Sequence, residues 1–199
     1  MNTHFRPDGL PLTTQAAEGL ARRLWTVAEI EAMVAAGILP EDERFELIDG
    51  EVVPMPAKGS RHESYKAALL DHWFRHKSEA YRIIPETTFR LGVSTFLEPD
   101  FLFYDSRIKV SGITPSTSLL AVEVADTTLA YDKGRKALIY ARFGVQALWV
   151  IDVATLETFI FGEPAEDGYR NMHVVRPTEI LAPTFAPELA VKLGELAEF

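Results

Sequence analysis

The sequence predicts an α/β fold, a mixed central sheet flanked by helices, on three observations. Leu119–Ala125 and Ala147–Asp152 are apolar on both faces apart from Glu123 and the terminal Asp152, as strands covered by packed layers on each side must be. Between them Tyr131 to Phe143 has helical spacing and ends at Gly144, a residue suited to a C-cap. Asp49-Gly50 and the stretch 163–168 each join two β-prone runs, which adds antiparallel hairpins and makes the sheet mixed.

In chain order, residues 1–23 have no sustained period and are read as a loosely ordered arm, leaving 24–199 as a single domain. Thr26-Val27-Ala28-Glu29 is a capping box that opens a short helix through Ile30, Met33 and Val34, stopped by Gly37. Arg44 to Met55 forms the Asp-Gly hairpin. Ser60 to Ser78 places Tyr65, Leu69 and Trp73 at helical spacing, with bases opposite. Tyr81–Ile84, Thr87–Leu91 and Phe96–Tyr104 are read as successive strands, and Thr155–Phe161 pairs with Tyr169–Val175. The last residues, with Pro177, Pro183 and Pro187, wrap the surface.

Composition excludes several chemistries. The absence of cysteine rules out disulfides, a thiolate nucleophile and zinc–thiolate sites, and agrees with a reducing, cytoplasmic location. No apolar run approaches the ~18 residues of a membrane span. The net charge of −9 is unevenly spread: residues 58–142 hold ten acids and thirteen bases between two flanks of −6 each. A positive middle suits an anionic ligand.

The run Ser94–Asp105, STFLEPDFLFYD, carries acids inside an apolar strand pattern, as does Glu123 in its own strand. A buried carboxylate needs a partner. If the two strands are neighbours, Asp100 and Glu123 lie side by side and need a shared proton or a cation, and Mg²⁺ or Mn²⁺ suits such hard oxygen donors. The alternative is that Asp100 caps a strand end and Glu123 pairs with a nearby base. Crowding of two acids also predicts that Asp100→Asn keeps the fold and raises the melting temperature without metal. Lys133, Lys136 and Tyr140 fall on one helical face after the Glu123 strand, so a lysine there can orient water or stabilise charge on phosphorus-bound oxygen. His72 and His76, at i,i+4, have metal-binding spacing without the accompanying acid, and Asp126 and Asp132 are read as helix caps.

RFELIDGEVVPM, SRHE, EPDFLFYD and LLAVEVADTTLAYDKGRKALIYARFGVQALWVIDV, in this order, resemble the Uma2 family of endonucleases, formerly a domain of unknown function, over about residues 24–175. That family belongs to the PD-(D/E)XK nuclease superfamily. The resemblance implies a restriction-endonuclease-like fold and metal-dependent hydrolysis of phosphodiester bonds, most simply in DNA. It makes Pro99-Asp100 the PD element and Glu123 the following acid, with Mg²⁺ or Mn²⁺ held by Asp100, Glu123 and the Val124 carbonyl. Position 125, where the pattern has lysine, is Ala125; Lys136 matches the family's displaced lysine, with Lys133 as the fallback. Glu46 corresponds to a further acid near the site. His62 is a candidate contact to phosphate or Glu46, and Arg61, Lys66, Lys133 and Arg135 are candidates to follow the nucleic-acid backbone. The expected partners are nucleic acid and no membrane, with a homodimer left open. Two rivals remain: a catalytically silent nuclease-fold module that binds nucleic acid or a protein, and a two-carboxylate glycosidase using Asp100 and Glu123.

Overall fold

The computed structural model describes residues 23–40 and 42–196. All but the last residue of the expected arm at 1–23 lies outside the described residues. Among the described residues, ten strands and four α-helical segments are ordered around two sheets. The larger has the strand order β10-β9-β8-β7-β6-β3, built from β3 (Tyr81–Pro85), β6 (Phe101–Asp105), β7 (Ser118–Ala125), β8 (Ala147–Asp152), β9 (Thr158–Ala165) and β10 (Gly168–Val175). Only β7 and β8 run parallel, so the sheet is mixed. The smaller is antiparallel, β2-β1-β5-β4, from β1 (Phe45–Ile48), β2 (Glu51–Pro54), β4 (Phe89–Gly92) and β5 (Thr95–Leu97).

The parallel pair needs a crossover, and a helical segment supplies it. That segment begins with α3 (Leu129–Tyr131), widens into a π turn (Asp132–Lys136) and continues as α4 (Ala137–Arg142). The Ala137 amide bonds to the carbonyl of Asp132, five residues back. Helix α2 (Ser60–His76) covers the opposite face of the sheet. Alternation along β7 then decides what each helix meets. Leu120, Val122 and Val124 pack with Tyr65, Leu69 and Trp73, while Ala121 and Ala125 pack with Ala137, Ile139 and Tyr140. Glu123 shares the second face.

The same period works in β1. Phe45 and Leu47 meet Val27 and Ile30 of α1 (Val27–Ala35), whereas Ile48 joins the cluster around Tyr140, and Glu46 has the parity of Ile48. The capping box expected at Thr26 and Glu29 is present, and Gly37 follows the helix at φ +68°. Asp49 and Gly50 both have positive φ, the type I′ pairing that fits a two-residue hairpin.

One strand reading is corrected. Phe96–Tyr104 is two strands, β5 in the smaller sheet and β6 in the larger, with Glu98-Pro99-Asp100 as the link between sheets. Proline lacks the N–H a continuous ladder requires, so the chain changes sheets there.

Candidate active site

The β6–β7 register pairs Phe101 with Val122, so Asp100 enters β6 beside Glu123. Both are buried. Asp100 is held by three donors: its Oδ2 accepts from the Val124 amide at 2.8 Å, and its Oδ1 contacts Lys58 Nζ at 2.8 Å and His62 Nε2 at 3.0 Å. Burial disfavours its charge, but His62 and Lys58 outweigh that and hold the carboxyl well below its ordinary range. His62 Nδ1 turns to Glu63 at 3.0 Å, and the imidazole bonds to Asp100 and not to Glu46, one of its two expected partners.

Glu123 Oε1 accepts from Tyr140 at 2.7 Å and from Lys136 Nζ at 2.9 Å. The same ammonium lies 2.9 Å from Glu46 Oε1 and 4.0 Å from Asp132 Oδ1. All four of these charged residues are buried. Burial pushes Glu123 up to about 8 against the pull of Lys136, and burial likewise raises Asp132. Lys136 moves upward because Glu123, Glu46 and Asp132 outweigh its own burial, so it keeps its charge. One ammonium among three carboxylates leaves this half of the cluster short of positive charge. Hard oxygen donors that lack enough positive charge to ionise together fit Mg²⁺ or Mn²⁺, which would take the place of a proton on one or two carboxylates and take water elsewhere. Among the described residues no three His, Asp or Glu side chains form a ready-made metal cage. The fit is therefore to a two-carboxylate site.

A cavity of about 180 Å³ opens onto these groups, lined among others by Lys58, His62, Asp100, Glu123, Tyr131 and Lys136. Where α2 begins, a Cβ on Gly59 would stand 2.9 Å from Asp126 Oδ2, so any larger residue there would make the Asp126 side chain shift. The Tyr131 hydroxyl is buried with no hydrogen-bond partner.

The remaining expected residues are spread out. Ala125 is packed in the core, and Lys136 brings the ammonium to Glu123 from the helix instead. Lys133 leaves that face, its ammonium lying 4.3 Å from the centre of the Phe159 ring, because the wider π turn rotates it away from Lys136. Arg61 and Arg135 are exposed, each next in sequence to a buried site residue. Lys66 bridges Glu63 and Glu86 at 2.8 Å each. His72 and His76 turn ring nitrogens to the carbonyls of Ala190 and His72, away from the acids. Asp132 is not the N-cap of this helical segment: it follows α3, accepts from Thr128 Oγ1 and belongs to the buried cluster. Lys58 was missed by sequence reasoning, since it sits in an aperiodic loop far along the chain from Asp100.

The mixed sheet with helices on both faces is of the restriction-endonuclease-like class of fold. The chain belongs to the Uma2 family, described as "Putative restriction endonuclease", which matches residues 27–194. It is also similar to a crystal structure described as "a putative nuclease belonging to DUF820" from Anabaena variabilis ATCC 29413. The TM-score is 0.61 at 18% identity, over 80% of this chain and 93% of that one. At that identity the likeness speaks for the fold. No curated protein matches the sequence. No helix among the described residues is long and apolar enough to cross a membrane.

Proposed function

We propose that the protein is a metal-dependent endonuclease that hydrolyses phosphodiester bonds of DNA. The observation that carries this is that Asp100 and Glu123, opposite each other in the β6–β7 register, line one cavity together with Lys136, whose ammonium lies 2.9 Å from both Glu123 and Glu46. Asp100, Glu123 and the Val124 carbonyl would hold Mg²⁺ or Mn²⁺. When bound, the metal supplies Lewis acidity at the phosphate and lowers the pKa of water. Lys136 is already charged, so its part is to position the attacking water and to stabilise negative charge growing on the phosphoryl oxygens. Glu46 fixes the ammonium, and is itself fixed by the Glu98 amide at 3.3 Å. Tyr140 donates to the same Glu123 oxygen that meets Lys136 and helps orient it. Arg61 and Arg135, exposed beside the cavity walls, are suited to the backbone of the substrate.

The test combines two measurements. Calorimetry should show Mn²⁺ binding to the wild type and its loss in Glu123→Gln. Lys136→Ala should bind Mn²⁺ nearly as the wild type does but cleave plasmid or oligonucleotide about 10²-fold more slowly, as for loss of a positioned electrostatic group. DNA bound but never cut by wild type and variant alike would leave the silent-module reading in its place.

A further inference from the structure

We propose that Lys58 is a displaceable counter-ion for Asp100, an ammonium that holds the metal ligand until a divalent cation takes its place. The inference rests on the two-carboxylate metal reading and adds a residue that this reading does not use.

Lys58 stands in the loop between β2 and α2 and lines the cavity. Its ammonium makes two contacts, 2.8 Å to Asp100 Oδ1 and 2.5 Å to Glu86 Oε1. Glu86 is in turn shared with Lys66 and lies on the solvent side, 41% exposed against 7% for Asp100. The ammonium therefore bridges a buried acid and a rim acid. Its tether is one side chain on a loop, with no regular hydrogen-bond ladder to hold it in place.

With Lys58, His62 and the Val124 amide all on Asp100, the carboxylate has little capacity left for a cation. Two cations on one carboxylate oxygen repel each other, so a metal that binds there displaces the more mobile one. His62 is fixed on α2 and the Val124 amide in the sheet, which leaves Lys58 to move. Glu86 gives it somewhere to go: the ammonium retains that partner at the rim while Asp100 is released. The contact thus sets a threshold, because the site loads only when free metal outcompetes a built-in ammonium.

Removing the ammonium should tighten metal binding. Calorimetric titration with Mn²⁺ alone should give a Kd about tenfold lower in Lys58→Met than in the wild type, the scale on which one neighbouring charge shifts a carboxylate's affinity for a cation. Lys58→Gln should do the same, which guards against a packing effect of one substitution. Lys66→Met, which removes a lysine from Glu86 without touching Asp100, should leave the Kd unchanged. A second readout is thermal: without metal Lys58→Met should melt below the wild type, and saturating Mn²⁺ should raise its melting temperature by more. Equal Kd values in wild type and both Lys58 variants, or equal tightening in Lys66→Met, overturn the proposal. If neither wild type nor variants bind Mn²⁺, the two-carboxylate metal reading itself falls, and the counter-ion role with it.

Discussion

Three donors meet the Asp100 carboxylate, whereas the Glu123 carboxylate shares its one ammonium with two other acids. Two acids from neighbouring strands therefore have opposite electrostatic circumstances. For Asp100 this reverses an expectation drawn from crowding alone. Asp100→Asn loses charge-assisted bonds from Lys58 and His62 and leaves Lys58 without its buried partner. The metal-free variant should be less stable by about 1–3 kcal/mol, measured by urea denaturation. A gain in stability would mean that repulsion from Glu123 outweighs those bonds. The sequence showed the acid and its apolar setting, but not its neutralisation. The lysine responsible lies 42 residues earlier in a loop, and no spacing rule connects the two.

At the scale of elements, the turn from α3 into α4 determines which lysine reaches the acids. The helix between β7 and β8 was readable from its apolar period, and Gly144 from its place at the end. The extra residue in the π turn was not, because a single wide turn leaves no period of its own; helical spacing put Lys133 and Lys136 on one face, and only the family resemblance ranked Lys136 first. Gly134 lies within that turn, exposed, and a Cβ there meets no heavy atom within 4 Å. Its backbone needs no positive φ, so alanine fits and restricts the unfolded chain. Gly134→Ala should stabilise the protein by about 0.4–1 kcal/mol, measured by urea denaturation, with metal-dependent cleavage essentially unchanged. Cleavage that falls while stability rises would show that alanine has tightened the turn to regular α and drawn Lys136 away. The split of Phe96–Tyr104 has a similar cause. Both halves are apolar and β-prone, and Pro99 was the only local sign that the strand changes sheets.

Across the whole molecule, the site lies where the two sheets meet. Glu46 comes from the smaller sheet, Glu123 from the larger, Asp100 from the link between them, and Lys136 from the helix packed against both. A cation bound to Asp100 and Glu123 would tie the inter-sheet link to the central strand, and because the unfolded chain lacks the site, binding adds to global stability. Mn²⁺ at about 100 times its Kd should contribute about 2.7 kcal/mol, or a rise of roughly 5–10 °C in Tm for a chain of this size. Scanning calorimetry with Mn²⁺ and with chelator checks this, and an unshifted wild-type transition would contradict it. The charge map belongs to the same scale. Exposed Arg61 and Arg135 lie in the one segment with more bases than acids, on a chain whose net charge is −9.

The amide of Val124 donates to a carboxylate side chain, where most amides in a central strand meet a backbone carbonyl. Its proton is thereby a spectroscopic witness to the site. Its chemical shift and its rate of exchange with deuterium depend on what Asp100 is doing, while the amides on either side report only on the sheet. Whatever pulls that aspartate toward a new partner is registered at one backbone position, with no substrate needed to see it.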